Sequence, residues 1–568
     1  MEQNMVRGTK ALLLSLMEEG VDTIFGYPGG TIMPLYDELY NYTDKINHIL
    51  VRHEQGAVHA AEGYARTTGK VGICMATAGP GATNFVTGIA DAMMDSTPII
   101  CITAQVNADK LGTNFFQEAD MISITLPITK WSYQITKASE IPEVMAKAFY
   151  IARSGKPGPV VISIAKNAQV ESVDFKYDRE ELIKDIKVKR THANSEDIEA
   201  AAKMINEAER PLVIAGHGVA IADAEETLRE LCEKGNIPVA ATLMGVSVMN
   251  SFHPNYIGAV GMHGNIAPNR MTQEADVILA VGMRFSDRVT GETHGYAPQA
   301  KIIHIEIDQS EINKNIKAQI PLRGDAGEIL GELLDKIEFK ERKEWFERAK
   351  ELVEEEDKRI FNPKLNSTEE VFMGQVVAKI TEFTGGNAII VTDVGQNQMF
   401  SARYSKFVQH KSFVTSGGLG TMGFGLPAAV GTKVGNPHRQ VIAILGDGGF
   451  QMNMQELGTI MQSGIDIKIV LLNNSFLGMV RQWQELFFNR RYAFTHLDNP
   501  DFQKVAQAYN IPSAKISKTS EIEEQVRKML DSKGTYFLEV EVKEEENVFP
   551  MIPAGATLDD MIYEKPQK

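Results

Sequence analysis

The sequence predicts an α/β protein of three doubly wound domains, each with a parallel sheet covered by helices. Apolar strand-like runs alternate with helix-like segments from end to end, an order typical of parallel sheets. The chain has 568 residues, which is too long for one hydrophobic core and suggests about three domains. We expect a first domain over residues 1–185, a central domain over 190–337, a charged linker helix over 338–367, a third domain over 368–547, and a C-terminal tail or lid over 548–568.

Composition excludes several classes of protein. Hydrophobic residues make up 43% and charged residues 23% of the chain, which is ordinary for a globular protein. The formal charge of −16 argues against a nucleic-acid partner, because such a partner requires a basic face. No apolar run is long enough to predict a membrane span. Cys74 and Cys101 lie in apolar runs and none of the three cysteines has metal-ligand spacing, so we expect a reducing, cytoplasmic location.

The most informative motif joins two predicted strands in the third domain. Residues 441–445 predict a buried strand, residues 452–461 a helix, and residues 467–472 the next strand. A right-handed crossover places the carboxyl ends of the two strands side by side, so Asp447 and Asn474, which follow these ends, converge where open α/β sheets bind ligands. A carboxylate and an amide carbonyl make an all-oxygen site that suits Mg²⁺ and the phosphate oxygens bound to it. This spacing resembles the metal motif of thiamine diphosphate enzymes, and the alternative is a chance match.

A second candidate is Glu54, at a junction between a predicted strand over residues 46–52 and a helix. Thiamine diphosphate needs one carboxylate hydrogen-bonded to a pyrimidine ring nitrogen, because that bond favours the reactive imino tautomer. Glu54 is placed to supply this carboxylate. The alternative is that Glu54 stabilises the helix dipole from the first turn.

Two further patterns have competing interpretations. His53 and His59 could be metal ligands, but no third nitrogen or sulfur ligand lies near them in the sequence, which favours structural roles. Residues 418–423 spell GxGxxG after a strand-like run, as in a dinucleotide-binding fold. We assign them to a tight turn under the thiamine ring instead, because Asp447 has a better role in the metal site than as the acid of a dinucleotide site.

With these motifs in place, the chain resembles the catalytic large subunits of acetohydroxyacid synthases over essentially its whole length. The segments that carry the resemblance in the first domain are YPGG (27–30), RHEQGAVHAAEGYAR (52–66), TAGPGATN (77–84) and FQEAD (116–120). Those in the central domain are GMHGN (261–265), RFSDRVTG (284–291) and HIEID (304–308). Those in the third domain and the C-terminal segment are VGQNQM (394–399), GTMGFGLPAA (420–429), GDGGFQMNMQEL (446–457), LLNNSFLGMVRQWQ (471–484) and FPMIPAGATLDDMI (549–562).

The resemblance implies three cofactors: thiamine diphosphate bound between the first and third domains, Mg²⁺, and FAD on the central domain. Glu54 would activate the thiamine ring, and Mg²⁺ would bind Asp447, Asn474 and the Phe476 carbonyl. The positions implied around thiamine diphosphate are Gly29, Gly30, Pro80, Asn84, Gly395, Gln396, Asn397, Gly420, Met422, Gly446, Gly448 and Gly449. The positions implied around FAD, or between FAD and the active site, are His263, Gly264, Arg284, Asp287, Arg288, Glu306 and Asp325. Gln117 and Lys166 would lie at the substrate channel, and Met479, Val480 and Trp483 would form the acceptor pocket.

Several positions depart from the family pattern. Lys156 stands where the family has arginine, which weakens one expected flavin contact. The nearby departures are Ser163, Ala165 and Asn167. Asn397 departs beside the diphosphate, Thr31 departs at the pocket, and residues 107–110 also depart from the pattern. These changes bear on FAD affinity, channel shape and inhibitor fit more than on the chemistry.

The implied reaction decarboxylates pyruvate and transfers its two-carbon unit to pyruvate or 2-ketobutyrate, giving 2-acetolactate or 2-aceto-2-hydroxybutyrate for branched-chain amino-acid synthesis. The implied partners are a second copy or three further copies of the chain, with active sites at the subunit interface, and a small regulatory subunit. One alternative is a flavin-using ketoacid oxidase on the same scaffold, against which Trp483 and Arg288 argue. The other is a non-catalytic nucleotide-binding regulator, which would have no need of an activating acid such as Glu54.

Overall fold

The computed structural model describes residues 5–565 and contains three six-stranded sheets, each made of parallel strands. The first domain also has a small two-stranded antiparallel sheet formed by its terminal strands. Its strands are β1 (Met5–Arg7), β2 (Thr23–Gly26), β3 (Asn47–Leu50), β4 (Gly72–Ala76), β5 (Ile99–Gln105), β6 (Trp131–Ile135), β7 (Val160–Ala165) and β8 (Ser172–Asp174). Its helices are α1 (Gly8–Glu18), α2 (Met33–Leu39), α3 (Glu54–Thr68), α4 (Pro80–Thr83), α5 (Val86–Met94), α6 (Met121–Thr125), α7 (Ile141–Arg153), α8 (Lys166–Val170) and α9 (Arg179–Leu182).

The central and third domains repeat this alternation of strands and helices. The central strands are β9 (Pro211–Ala215), β10 (Val239–Ala241), β11 (Tyr256–Ala259), β12 (Val277–Val281), β13 (Lys301–Glu306) and β14 (Ile320–Arg323), with helices α10 (Ser195–Glu207), α11 (His217–Ile221), α12 (Glu225–Gly235), α13 (Ile266–Glu274), α14 (Asp287–Thr290) and α15 (Ala326–Lys336). Two linker helices follow, α16 (Lys343–Glu356) and α17 (Asn362–Leu365). The third domain has strands β15 (Ile389–Thr392), β16 (Phe413–Val414), β17 (Val441–Gly446), β18 (Lys468–Asn473), β19 (Ser513–Ile516) and β20 (Tyr536–Glu541), with helices α18 (Met373–Thr384), α19 (Gln396–Tyr404), α20 (Gly425–Gly435), α21 (Asp447–Asn453), α22 (Leu457–Ser463), α23 (Gly478–Phe487), α24 (Phe502–Ala508) and α25 (Ile522–Asp531).

The strand orders place a ligand crevice in every domain. They are β3–β2–β4–β5–β7–β6, β11–β10–β9–β12–β13–β14 and β16–β15–β17–β18–β20–β19, so the first and third sheets share one topology. The chain reverses direction across each sheet between β2 and β4, between β9 and β12, and between β15 and β17. Open α/β sheets bind ligands outside the carboxyl ends of the strands at such reversal points. The predicted α/β fold with three doubly wound parallel sheets is therefore confirmed.

The first and third domains share one hydrophobic core because α3 and α20 cross at small residues. A Cβ atom at Gly63 would overlap the Ala428 carbonyl, and one at Gly431 would overlap the Ala60 carbonyl. Apolar residues of both sheets, among them Phe25 and those of β17, belong to this core. The close crossing holds the two domains together as neighbours.

The structure corrects three expectations about helices and the C-terminal segment. The helix expected over residues 452–461 begins at Asp447 and is interrupted by a 3₁₀ turn, Met454–Glu456, where Glu456 turns to accept hydrogen bonds from another domain. The linker helix α16 is not simply solvated, since it buries an apolar stripe that includes Trp345. The part of the C-terminal segment that the structure describes, residues 548–565, is not a disordered tail, because Val548, Met551 and other apolar residues in it are buried. The lid alternative remains a prediction.

Within residues 5–565, no helix has both the length and the apolar character that crossing a membrane requires.

Candidate active site

The metal motif lies at the carboxyl ends of two neighbouring strands. Strand β17 pairs with β18 in parallel, from Ile442 opposite Lys468 to Gly446 opposite Leu472. Asp447 and Asn474 are the residues that directly follow these strands, and both are buried. The two side chains therefore leave the same edge of the sheet next to each other, as the spacing in the sequence predicts.

A third side chain, Asn499, joins the two strand ends. Its Nδ2 donates to Asp447 Oδ2 at 2.7 Å and to Asn473 Oδ1 at 3.0 Å. The loop after β18, residues 475–477, pairs with residues 495–497 through two main-chain hydrogen bonds. The Leu477 amide donates to the Thr495 carbonyl, and the Leu497 amide donates to the Ser475 carbonyl. These bonds do not use the Phe476 carbonyl, so this predicted metal ligand is not consumed by the pairing.

Burial makes the Asp447 carboxylate respond strongly to a cation. Removal from water raises the pKa of Asp447 to about 6, although the hydrogen bond from Asn499 acts in the opposite direction. A divalent cation would replace the lost hydration and favour the ionised carboxylate. The donor atoms available here, a carboxylate and amide and main-chain carbonyl oxygens, fit Mg²⁺.

The predicted diphosphate positions lie at the reversal point between β15 and β17. Gly395 has a φ of +120°, a conformation for which glycine is suited, and it precedes α19, whose first residue is Gln396. The side chain of Asn397 covers Gly446, with its Nδ2 atom 3.0 Å from the position of a Cβ there. Gly448 leaves room for Met422, whose Cε atom is 3.4 Å from the corresponding Cβ position. These residues line one crevice whose floor is kept open by glycines.

A buried acid that the sequence analysis missed shapes this crevice. Asp393 follows β15 and accepts main-chain hydrogen bonds from Gly423 and Gly425, at 3.0 and 2.9 Å. A Cβ atom at Gly449 would overlap the Asp393 carboxylate. Burial raises the pKa of Asp393 to about 6. Its signal in the sequence was an acid directly after a strand, the same signal that identified Asp447.

The GxGxxG segment is not a phosphate-binding loop. The amides of Gly417 and Gly418 donate to Asp95 of the first domain at 2.8 and 2.6 Å, and the amide of Gly423 donates to Asp393. A dinucleotide would need such amides for its pyrophosphate, and two carboxylates would repel it. The structure therefore supports a tight turn, in which Gly420 and Gly423 have φ values of +73° and +91°.

Asp95 belongs to a buried charged network on α3 and α5. Arg66 donates to Glu62 Oε2 at 3.2 Å and to Asp95 Oδ2 at 2.9 Å, and His59 Nδ1 lies 2.9 Å from Glu62 Oε1. Burial lowers the pKa of His59 to about 3. Candidate ligand atoms of His59, Glu62 and Asp91 all lie within 4.8 Å of one another, but the guanidinium of Arg66 already supplies the positive charge. His59 therefore has the structural role expected, and His53 Nδ1 accepts the Gln55 amide as a helix cap.

Glu54 is the first residue of α3 and faces the loop after β4. Asn84 Nδ2 donates to Glu54 Oε2 at 2.8 Å. The other carboxylate oxygen lies 3.1 Å from the position of a Cβ at Gly81, so a side chain there would crowd it. The backbone of Gln117, with a φ of +64°, approaches the Cβ position of Gly79 to 2.9 Å, next to Pro80. Glu54, Asn84, Pro80 and Gln117 thus form one cluster, called the Glu54 cluster below.

The other first-domain positions border the same face. A Cβ at Gly29 would overlap Thr77, while Gly30 has open space around it. Thr31, one of the departures, has its Oγ1 2.8 Å from Thr77 Oγ1 and accepts the Ala78 amide, which ties the loops after β2 and β4 together. Lys166 begins α8 directly after β7 and is exposed.

A cavity of about 870 Å³ lies between the three domains. The predicted residues that line it are His263, Gly264, Arg284, Asp287, Arg288, Glu306, Asp325, Gly395, Gly420, Met479 and Trp483. Its central-domain wall includes the reversal point between β9 and β12, where Gly218 and Gly282 pack so closely that a Cβ on Gly218 would lie 2.6 Å from Gly282 Cα. Such a glycine-lined crevice at a reversal point is where a nucleotide fits.

Polar groups in this cavity include one without a partner. His263 Nε2 is buried and makes no hydrogen bond within the described chain, and burial lowers the pKa of His263 to about 3. Glu306 ends β13 and its Oε1 accepts the Asp308 amide at 3.0 Å. Asp325 caps α15 by accepting the amides of residues 327 and 328, so it has a structural function besides facing the cavity.

Two of the four departures around Lys156, namely Lys156 itself and Asn167, make local polar contacts. Lys156 Nζ lies 3.2 Å from Asp308 Oδ2 and 3.8 Å from Glu311 Oε1, which joins the first and central domains at the cavity. Asn167 accepts the Ala108 amide at 2.9 Å and donates to the Thr136 carbonyl at 2.8 Å. Ser163 and Ala165 are buried in β7. In this chain Lys156 therefore pairs with two central-domain acids.

The three residues predicted for the acceptor pocket, Met479, Val480 and Trp483, lie on α23. Met479 and Trp483 line the cavity, and the Trp483 ring is 5.0 Å from that of Phe487. Val480 is 49% exposed. Val480 is not among the residues that line the cavity, so a pocket formed by all three side chains stays a prediction.

Two groups of predicted residues do not line this cavity. Neither the members of the Glu54 cluster nor Asp447 and Asn474 are among the residues that line it. Phe116, which precedes Gln117 in the sequence, is 81% exposed. Asp447 and Asn474, by contrast, are buried.

The sequence matches three families across most of its length. It matches the thiamine pyrophosphate enzyme N-terminal TPP binding domain over residues 6–124, the central domain of these enzymes over residues 198–333, and their C-terminal TPP binding domain over residues 393–540. Each match contains most of one of the three sheets. The metal motif and the diphosphate crevice lie within the third match.

Curated relatives align with nearly the whole chain. The acetolactate synthase isozyme 2 large subunit of Escherichia coli K12 is 42% identical over 558 residues, which cover 98% of this chain and 99% of that protein. A probable acetolactate synthase large subunit of Methanocaldococcus jannaschii is 44% identical over 570 residues, covering 98% of this chain and 95% of that protein. The acetolactate synthase large subunit of Corynebacterium glutamicum is 41% identical over 575 residues, covering 98% and 90%.

Proposed function

Because this chain belongs to the acetolactate synthase large-subunit family of thiamine pyrophosphate enzymes, it is a thiamine diphosphate-dependent enzyme of that type, and we propose that it joins pyruvate to a second 2-ketoacid with loss of carbon dioxide. The products are 2-acetolactate from two pyruvates and 2-aceto-2-hydroxybutyrate from pyruvate and 2-ketobutyrate. The observation that carries the assignment of residues is the pairing of β17 with β18, which brings Asp447 and Asn474 to one edge of the sheet. The "large subunit" in the names of the relatives supports a small regulatory partner for this chain.

The residues of the third domain fit the diphosphate end of the cofactor and its metal. Asp447, Asn474 and the Phe476 carbonyl offer the oxygen ligands that Mg²⁺ prefers. Gly395 and Gly448 add no side chain of their own to the crevice, whose wall at Gly448 is formed by Leu477 and Met422. When bound, thiamine diphosphate supplies a thiazolium ring that accepts the electron pair released by decarboxylation.

Glu54 would hold the pyrimidine ring of the cofactor. Asn84 orients the carboxylate by donating to Oε2, which leaves Oε1 for a ring nitrogen. Because neither the Glu54 cluster nor Asp447 and Asn474 line the central cavity of a single copy, we propose that each active site combines the Glu54 cluster of one copy with the metal site of another. The chain would then be a homodimer or a larger assembly.

The central cavity would hold FAD. Close packing of Gly218 on Gly282 at the reversal point leaves a crevice for the nucleotide, and the unpartnered His263 Nε2 faces the same space. Glu306 at the end of β13 is placed as a ribose acceptor. FAD would have a structural role, because joining two ketoacids involves no net oxidation or reduction.

A product assay tests the proposed function directly. Purified chain would be incubated with pyruvate, thiamine diphosphate and Mg²⁺, and acetolactate would be measured together with oxygen uptake. Acetolactate formed without oxygen uptake supports the synthase. Oxygen consumption with acetate or acetyl phosphate as product would instead identify a ketoacid oxidase.

We expect FAD to bind without being reduced during turnover. The purified protein should show flavin absorbance, and acetolactate formation should continue at the same rate in the absence of oxygen. The measurement is flavin content per chain, with activity compared in aerobic and anaerobic buffer. A colourless preparation that is fully active and gains nothing from added FAD would contradict this prediction.

We expect Trp483→Leu to reduce the preference for 2-ketobutyrate over pyruvate as acceptor. The indole would pack against the extra methyl group, and one methylene in an apolar pocket contributes roughly 10–200-fold discrimination, so a fall of about 10-fold is expected. The measurement is the ratio of 2-aceto-2-hydroxybutyrate to acetolactate from mixed ketoacids. Phe487→Leu, which removes the neighbouring ring, is the control. An unchanged ratio in folded Trp483→Leu would mean that this ring serves core packing only.

A further inference from the structure

Helix α23 buries a polar face, the reverse of an ordinary amphipathic helix. Its buried residues are Arg481, Gln482 and Glu485, whereas Val480 and Phe487 on the remaining surface are 49% and 44% exposed. Burying such groups is unfavourable unless each finds a hydrogen-bond partner. Something in the fold must therefore satisfy the polar face of the helix that carries the acceptor residues.

Residues 546–548, where the third domain passes into the C-terminal segment, supply the hydrogen-bond partners of this polar face. Gln482 Oε1 accepts the Val548 amide at 2.8 Å, and its Nε2 donates to the Val548 carbonyl at 3.2 Å. Arg481 donates to the Glu546 carbonyl at 2.8 Å and to Asn547 Oδ1 at 2.6 Å. Asn547 Nδ2 in turn donates to Glu485 Oε2 at 2.9 Å. The orientation of α23 thus depends on where this segment lies.

A row of side-chain amides connects the same helix to the metal site. Asn474 Nδ2 donates to Gln396 Oε1 at 3.2 Å. Gln396 Nε2 donates to Gln482 Oε1 at 3.2 Å and to the Glu546 carbonyl at 2.7 Å. A Cβ atom at Gly478, where α23 begins, would overlap Gln396 Oε1, so the row runs directly beneath the start of the helix.

Main-chain groups determine which way each amide points. Asn474 must turn its oxygen to the Phe476 amide, Gln396 must turn its nitrogen to the Glu546 carbonyl, and Gln482 must turn its oxygen to the Val548 amide. An amide N–H can only donate and a carbonyl can only accept. The three side chains are therefore oriented head to tail, all donating in the direction away from Asn474.

We propose that Asn474, Gln396 and Gln482 form an amide relay that couples cation binding at Asn474 to the packing of α23 on the C-terminal segment. This proposal rests on the proposed function, in which Asn474 Oδ1 is a metal ligand. A cation at that oxygen draws electron density from the amide and makes its N–H a stronger donor, and bonds in such a buried chain strengthen one another. Gln482 is then a positioning residue: it acts on the acceptor pocket through α23 without touching the metal.

The relay implies an order of events. Metal and diphosphate binding would tighten the contact between α23 and residues 546–548, and this contact aligns Met479 and Trp483. The acceptor pocket would be complete only in the cofactor-loaded chain. Coupling between two sites is reciprocal, so breaking the relay at Gln482 must also weaken cation binding at the far end.

The test uses the full-length chain and its Gln482→Met variant, which keeps the length of the side chain and removes its polar atoms. Mg²⁺ would be titrated calorimetrically in the presence of saturating thiamine diphosphate. We expect the apparent Mg²⁺ affinity of Gln482→Met to be about 5-fold weaker or more, the lower range of coupling between sites. Gln409→Met makes the same change at an exposed glutamine of the third domain and should leave the affinity unchanged.

A second measurement needs no variant. Hydrogen exchange of the peptide over residues 546–552 would be followed in the wild-type chain before and after addition of Mg²⁺ and thiamine diphosphate. We expect exchange to slow by about 5-fold or more on binding. This measurement alone decides the matter if Gln482→Met does not fold.

The possible results separate the two proposals. Equal Mg²⁺ affinity in wild type and folded Gln482→Met, or unchanged exchange of residues 546–552 in a chain that binds both cofactors, would overturn the relay and leave the proposed function standing. A wild-type chain that binds neither Mg²⁺ nor thiamine diphosphate would overturn both.

Discussion

We expect Glu54→Gln to slow proton exchange at the thiazolium carbon by about 10²–10⁴-fold, the range that a positioned acid–base group contributes. Glutamine keeps the size of the side chain but cannot carry the negative charge that stabilises the imino form of the pyrimidine. The measurement is deuterium exchange at that carbon in the bound cofactor, followed by NMR after acid quench. Thiamine diphosphate binding should be largely retained, since most of its affinity comes from the diphosphate end.

A matched control distinguishes this function from a helix-dipole effect. Glu143 is also in the first turn of a helix, α7, and its side chain is 55% exposed. Glu143→Gln should lower the free energy of unfolding by about 0.3–1 kcal/mol. It should leave the rate of proton exchange at the thiazolium carbon unaltered. If Glu54→Gln exchanges at a near-normal rate, the carboxylate is only a helix-start residue.

Loss of the Asp447 carboxylate should abolish tight cofactor binding. We expect Asp447→Ala to weaken Mg²⁺-dependent binding of thiamine diphosphate by roughly 150- to 4,000-fold, because removing one partner of a buried charged site costs roughly 3–5 kcal/mol. The cause is that the diphosphate would keep its negative charge without a cation held beside it. Calorimetric titration of thiamine diphosphate with and without Mg²⁺ measures the effect.

The control for this variant is Asp531→Ala, an exposed aspartate at the end of α25 in the same domain. It should bind the cofactor like the wild type. A folded Asp447→Ala chain with unchanged, Mg²⁺-dependent affinity would place the metal site elsewhere. Circular dichroism of both variants checks that the loss arises from the site and not from unfolding.

The sequence by itself determined the elements and the residues at their ends. Apolar runs of the right length predict β17 and β18, and a residue directly after a strand is placed by chain connectivity alone, as Asp447 and Asn474 are. The same holds for Glu54 at the start of α3. These predictions depend on periodicity and on parallel-sheet topology, both of which are local or follow from general rules.

Only the tertiary structure decided which distant residues complete the site. Asn499 lies 52 residues after Asp447. The two acids that accept hydrogen bonds from the amides in and beside the GxGxxG segment are Asp95 of the first domain and Asp393 at the end of β15. The helix expected over residues 452–461 is broken because Glu456 bonds the amides of Arg52 and His53, which are more than 400 residues away in sequence.

The C-terminal segment shows most clearly why the sequence does not predict such long-range contacts. Its proline and glycine residues are compatible with a tail or with a lid, because composition describes local backbone preference and not long-range partners. In the structure, Val548 and its neighbours provide the hydrogen-bond partners of the buried polar side chains on α23. A buried arginine or glutamine is stable only when its partners are present, and those partners are specified by three-dimensional packing, which no local pattern of residues encodes.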